Sequence, residues 1–474
     1  MSNAENWASD EFQTVEVGDK RRKRRLIKVA GRLASTPRES IPTAMEGWNE
    51  TQAAYRLFNS EHVTLEKILD AHAEQTQRRI AKHPLVLVLQ DTTELDLTTK
   101  RHKNKDVGPL NYKNRQGFLL HPSIVVTPEG LHLGTIQVKT WARDGESLGR
   151  SNPERKKIPF EEKESVRWRD GYEASRAMAE GCPGTMVVNV ADRESDIFEY
   201  LVEATNDRPE NARFVIRATQ NRATTEPDVE AGGRCFVKLR DRMEATNPCG
   251  EAMINVPKRD KREARTTTLE IRTTTLELKP PLARQSTLRP VTVGVVWAKE
   301  KDPPEGEAEP IEWLLFTDLP ADGLDAALLV LEYYAARWQI EVFFRVLKSG
   351  CKVEELEFHS FETFGPCLMV YMVVSWRVLN LMMLGRECPD LPCDSVLTQA
   401  EWQSAWQIIR HEPPPRECPS LGEMILIIAS FGGHLGRKCD GPPGPKSLWI
   451  GLQRVTDFAL AWTAFGPAAN GEQT

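Results

Sequence analysis

Apolar residues at Leu26, Val29, Ala30 and Leu33 recur at steps of three and four, which predicts a helix with one inward stripe from Lys20 onward. Its other side is crowded with cations: the run KRRKRR from Lys20 to Arg25, then Lys28 and Arg32. Pro37 and Pro42 close this helix, a second is predicted from residue 51 to 58, and residues 1–73 read as a small helical domain. The pattern then changes period. Residues 84–91 form an unbroken apolar run of strand length that stops at Asp91. Strands are predicted over 119–126 and 131–141, joined by Thr127-Pro-Glu-Gly130, which has the chemistry of a tight turn. Residues 143–166 are charged and aperiodic and read as a loop; a helix follows, then a buried strand over 185–191 that stops at Asp192. Ile197, Tyr200 and Leu201 predict a helix directly after it. From 219 to 318 the chain alternates, as in 264–279 and 291–298, which predicts an antiparallel β region. Residues 324–347 are helical again, and Leu448, Leu452, Val455 and Leu460 line one face of a last helix. The expected organisation is thus α/β: a core in two parts, 74–218 and 319–375, interrupted by the β region 219–318, with helical segments at 1–73 and 376–474.

Composition narrows the class. With 474 residues, 40% hydrophobic and 27% charged, the chain has material for a sizeable core and for more than one domain. A net charge of −6 argues against blanket nucleic-acid affinity, leaving the local basic cluster as the place to look. Nine cysteines are scattered without a CxxC pair, which points to a reducing compartment and away from a zinc knuckle or a disulfide framework. The polar, acidic N-terminus shows no secretory signal, and the apolar run 367–384 contains Ser375, Arg377 and Asn380, so it reads as a core helix rather than a membrane span. The expectation is a cytoplasmic protein with no membrane partner.

Chemistry is suggested first by Asp91 and Asp192, each at the end of a predicted buried strand, where sites collect in α/β sheets. An Asp that starts a turn or caps the next helix is the plainer account of either. In YAARWQIEVFFRVLK, Tyr334, Arg337, Glu341 and Lys348 fall at steps of three, four and seven, on one side of a helix. Ile340, Phe343, Phe344 and Leu347 flank that stripe, so Glu341 borders an inward-looking surface and needs a cation or a metal. A simple Arg337–Glu341 surface pair is the alternative. The basic helix, with Arg21, Arg22, Arg24 and Arg25, is suited to phosphates, though such runs also serve as solvated faces. His83, His121 and His434 show no metal-ligand spacing.

The pattern Tyr-x2-Arg-x3-Glu-x6-Lys resembles the signature of the Tn-five-type members of the insertion-sequence-four family of DDE transposases. DRESDI around Asp192 and LQDTTEL around Asp91 resemble that family's segments around its two catalytic aspartates. Weaker similarity covers AAYRLF near the N-terminus and GGHLGRKCDGPPGPKSLWIGLQRV near the C-terminus. The resemblance implies a ribonuclease-H-like catalytic core with an antiparallel β insertion. It makes Asp91, Asp192 and Glu341 the catalytic and metal-holding residues for two Mg²⁺ ions, with Mn²⁺ able to substitute. The implied partner is double-stranded DNA, transposon ends and target, and the implied assembly is a homodimer paired through the C-terminal helix from about Leu448, whose apolar face would serve equally as an intramolecular cap. The implied reaction is nicking, hairpin formation and opening at the transposon end, then strand transfer. Tyr334, Arg337, Lys348, Arg217 and Arg56 are the implied DNA contacts. Trp313 aligns with a base-stacking Trp, although a Trp in an apolar strand is also ordinary core. Two other classes compete: a catalytically silent DNA-binding regulator, and a ribonuclease-H-like nuclease that cuts without joining.

Overall fold

The structure is a computed structural model and describes residues 3–45, 47–100, 104–112, 114–145, 159–206, 208–229, 235–256, 264–303, 310–437 and 439–466. The chain divides into two compact units, one of Ile80–Asp91 and Asn152–Trp338, the other of Met1–Arg79, Thr92–Ser151 and Gln339–Thr474.

The first unit is built on three adjacent parallel strands. Leu85–Gln90 pairs with Met186–Ala191 from Leu85↔Met186 to Leu89↔Val190, and Met186–Ala191 pairs with Ala212–Arg217 from Val187↔Ala212 to Ala191↔Ile216. Their near-continuous apolar sequences suit strands covered on both faces. The helix Val166–Gly181 packs on all three, and Leu324–Ala336 packs on the second and third. Packing is close beneath the first strand: a Cβ on Gly171 would meet Gln90 Oε1 at 2.1 Å, so the Gln90 side chain lies directly against that glycine. The alternating region is antiparallel as its pattern predicts, with Arg265–Leu278 beside Val291–Glu300 and that beside Glu312–Thr317. It is not a detached module, because Glu312–Thr317 bonds directly to Ala212–Arg217 and continues the same sheet. Trp168, Tyr172, Tyr200, Phe214 and Phe316 belong to one buried cluster that spans both parts.

The second unit begins with helices. Lys20–Ser35 buries Leu26, Val29, Ala30 and Leu33, and the Asp19 side chain caps it by accepting from the backbone N–H groups of Arg21 and Arg22. After one short turn of helix, Ile41–Ala44, the helix Trp48–Phe58 starts three residues before its expected place, just after Gly47 at φ +96°. The predicted hairpin is present as Gln116–Val126 against His132–Trp141, with Gly130 at φ +95° in the turn. The long apolar helix Phe361–Glu387 is a core element: 89% of its apolar stretch is buried, and Trp376 Nε1 donates to the His132 carbonyl at 2.9 Å. It is the one described helix long and apolar enough to cross a membrane. The helices Gln399–Arg410, Leu421–Phe431 and Pro445–Phe465 pack on one another in the C-terminal segment. Of the loop expected over 143–166, residues 146–158 lie outside the described set; Phe160–Glu162 makes one 3₁₀ turn before the helix that starts at Val166.

Candidate active site

The two parallel registers make a row. The first carries Leu89 to Val190 and so, two residues on, Asp91 to Asp192; the second carries Ala191 to Ile216 and so Asp192 to Arg217. Asp91 and Asp192 therefore follow directly on adjacent parallel strands and Arg217 ends the third, all in a row at the C-terminal edge of the sheet, where α/β sheets place their ligand sites.

Two further side chains reach the row from the end of Leu324–Ala336. The Tyr334 hydroxyl donates to Asp192 Oδ1 at 3.0 Å, and the Arg337 guanidinium pairs with Asp91 Oδ2. Burial raises the Tyr334 pKa, and the Asp192 charge adds to the rise. Burial alone would disfavour the Arg337 charge, but the Asp91 and Asp192 carboxylates outweigh it and hold its pKa above the usual value. Of the plainer accounts, starting a turn holds for Asp192, whose carbonyl accepts from Ser195 N at 2.9 Å, whereas side-chain capping and the Arg337–Glu341 pair do not. Asp192 precedes the turn Arg193–Ser195, yet its side chain makes no capping bond. Arg337 has Asp91 as its ion-pair partner rather than Glu341. Trp313 is half-buried, outside the core cluster, and meets the Tyr334 ring edge-on at 5.5 Å between centroids. Arg217 Nη2 donates to the Glu312 carbonyl at 3.1 Å, next to Trp313.

The single helix expected over 334–348 is three pieces: Leu324–Ala336, Trp338–Arg345 and a π turn, Val346–Gly350. The hydrogen-bond step explains the breaks. Arg337 N bonds back three residues to the Tyr334 carbonyl, and Cys351 N bonds back five to the Val346 carbonyl. Glu341 and Lys348 belong to the unit that begins at Gln339. Glu341 is half-buried in a helix that buries its neighbours Ile340, Phe343 and Phe344. Lys348 lies 3.8 Å from Glu354, and burial lowers its pKa against that attraction.

Two family models match the chain outside residues 64–372: one described as transposase DNA-binding over residues 4–63, and one described as the transposase Tn5 dimerisation domain over residues 373–464. Both matched segments liken the chain to Tn5 transposases. A distant likeness joins the chain to a cryo-EM structure of a piggyBac transposase synaptic complex with hairpin DNA, at 10% identity and TM-score 0.34. It covers 85% of this chain and 58% of that one, too remote a match to place a residue.

Within the segment matched as DNA-binding, Arg21 and Arg24 are exposed, whereas Arg22 is tied to Asp19 at 3.2 Å and to the Val17 carbonyl. Arg25 is half-buried; Arg56 is exposed on Trp48–Phe58 and donates to Gln52 at 3.3 Å. The chain also holds a residue to which its sequence alone assigned no role. Asp196, in the same DRESDI segment as Asp192, is buried and accepts from the backbone N–H groups of Thr219 and Gln220, both at 2.8 Å. Its other oxygen takes Nε and Nη2 of buried Arg222 at 2.8 and 2.5 Å. This pair ties the turn after Asp192 to the loop after Arg217, holding two members of the row together; the second acid of the segment was the available signal.

As a cation site the row fits in part. Asp91 and Asp192 offer the hard oxygen donors that Mg²⁺ takes, and Asp91 already holds one cation, the guanidinium of Arg337. Among the described residues no three His, Cys, Asp or Glu side chains are grouped so as to hold a metal ion.

Proposed function

We propose that this transposase cuts transposon-end DNA and joins its 3′-hydroxyl ends to target DNA, using Asp91, Asp192 and Glu341 as its acidic set in a ribonuclease-H-like core. The observation that carries the proposal is the Asp91–Asp192–Arg217 row at the strand ends, with Tyr334 and Arg337 bonded to its two carboxylates. Bound Mg²⁺ or Mn²⁺, two ions per site, would supply activation of the attacking oxygen and stabilisation of the leaving one. Asp91 and Asp192 hold the cations, with Glu341 as the third acid that the Tyr-x2-Arg-x3-Glu-x6-Lys spacing implies. Arg337 and Arg217 give planar contacts to phosphate oxygens beside the scissile bond, and Lys348 gives a point charge. Arg337 and Tyr334 hold the two carboxylates, and would be free to meet phosphate oxygens were cations to replace them there. Trp313, half-buried beside Tyr334, receives a base turned out of the stack as the end folds into a hairpin. The exposed arginines of Lys20–Ser35 and Arg56 bind the flanking duplex, and the segment matched as a dimerisation domain pairs two protomers.

The test is incubation with end-containing DNA and Mg²⁺. Nicked, hairpin and joined products are expected, and Asp91→Ala, Asp192→Ala and Glu341→Ala should each abolish nicking while still binding the DNA. Binding without cleavage by the parent chain would identify a silent regulator, cleavage without joined product a nuclease. Near-parental cleavage by any single variant would remove that residue from the acidic set.

A further inference from the structure

Away from the row, in the C-terminal segment, the sulfurs of Cys393 and Cys418 are 3.2 Å apart. Backbone pairing holds them there. Cys393 N donates to the Pro419 carbonyl at 2.9 Å, Leu421 N to the Leu391 carbonyl at 2.6 Å, and Pro392 and Ser420 form an antiparallel bridge. A Cβ on Gly422 would come within 2.8 Å of the Pro389 side chain, so the two stretches cannot move much closer or slide freely. The bridge sets Pro419 opposite Cys393 and leaves Cys418 diagonal to it, so it is the 3.2 Å between the sulfurs that puts the pair within reach of a bond. The sulfurs need to approach by only about 1 Å to reach bonding distance.

The two thiols differ in access. Cys393 is fully buried, while Cys418 is partly exposed and its sulfur accepts a hydrogen bond from the backbone N–H of Asp394 at 3.2 Å. A thiolate accepts such a bond better than a thiol does, which suits Cys418 to react first. Between the two lies the helix Gln399–Arg410, which packs on Leu421–Phe431 and Pro445–Phe465.

We propose that Cys393 and Cys418 are a site of reversible oxidation, at which a low-molecular-weight disulfide converts the pair into an intramolecular disulfide that staples the helix Gln399–Arg410 to its neighbours. The Cys418 thiolate attacks one sulfur of the small disulfide, breaking its S–S bond and releasing one small thiolate, which takes a proton. Cys393 gives its proton to solvent, attacks the Cys418 sulfur of the mixed disulfide and expels the second small thiol. Two electrons pass from the protein pair to the small disulfide. Burial and the adjoining sulfur push the Cys393 thiol above its ordinary range, so the second step quickens as pH rises.

The experiment uses the full reduced chain, equilibrated with graded mixtures of oxidised and reduced glutathione, quenched with acid, alkylated and digested. Peptides carrying Cys393 and Cys418 should be recovered joined and lighter by two hydrogens, at ratios that leave exposed Cys235, Cys388 and Cys439 at most glutathionylated. A Cys388→Ser chain, changed at an exposed position, makes the assignment to Cys393 unambiguous. The oxidised parent should melt higher by about 5–10 °C, and a Cys418→Ser chain should show neither the joined peptide nor the rise. A Cys418–glutathione adduct that persists while Cys393 remains alkylatable would overturn the proposal, as would joining to Cys388 or an unchanged melting temperature in the joined form.

Discussion

Asp192 and Asp196 stand four residues apart in one segment, yet their loss should have unequal consequences for stability. The Asp196 side chain is 1% exposed and that of Arg222 is 5% exposed. Asp196→Ala leaves that guanidinium buried without its counter-charge, which costs about 3–5 kcal/mol. The backbone donors of Thr219 and Gln220 add little, because both residues are exposed and water replaces the carboxylate. At about 2–4 °C per kcal/mol for a unit of this size, the transition should fall by about 10 °C. Asp192→Ala removes only the acceptor of the Tyr334 hydroxyl, a matter of about 1 kcal/mol and a few degrees. Differential scanning calorimetry of metal-free protein measures both, with the two units allowed separate transitions. Replacing the pair together, Asp196→Leu with Arg222→Met, should restore most of the loss, since neither charge is then stranded. An Asp196→Ala chain melting within about 2 °C of the parent would refute the clamp, as would a double variant no more stable than the single.

Acid should weaken the unit that holds His132, which is buried and whose pKa burial depresses to about 4. The unfolded chain takes up a proton near 6.5 and the native one only near 4, so stability falls by about 3 kcal/mol as pH drops between those values; denaturant unfolding at a series of pH values should show a slope that His132→Gln removes. Neutralising Arg21, Arg24 and Arg25 should lower the log–log salt slope of end-DNA binding by about one unit each, and Arg22, already bound to Asp19 and Val17, by less; an unchanged slope would make the run a solvated face. Trp313→Ala should leave nicking intact and let nicked ends accumulate, with a smaller stability loss than the roughly 3–5 kcal/mol of a core Trp; equal loss at every step with a collapsed melting temperature would return Trp313 to the core.

Much of this was legible in residue order. Leu85 to Leu89 and Val187 to Val190 announce buried strands by composition, and Asp91 and Asp192 mark where they end. The cationic helix was equally plain, since periodicity alone separates Leu26, Val29 and Leu33 from the arginines. Strand register was not legible, because parallel strands joined by long crossovers leave no local trace of which residues stand opposite. The break at Arg337 was hidden for a related reason: apolar spacing passes through it undisturbed, and only the change to a three-residue hydrogen-bond step reveals it. The Asp196–Arg222 pair and the Cys393–Cys418 contact are products of tertiary folding, and their spacings match no short motif.

Because register rather than chain spacing aligns the carboxylates, the surface loops between Thr92 and Thr185 are free to vary in length. Relatives could gain or lose dozens of residues there, in surface loops that tolerate such change at little thermodynamic cost, and keep both acids abreast. A single residue inserted inside Met186–Ala191 is another matter: it turns every following side chain to the opposite face and carries Asp192 out of line with both Asp91 and Arg217. The invariant to seek among such enzymes is therefore the distance of each acid from the start of its own strand, which short indels would erase and long ones elsewhere would not.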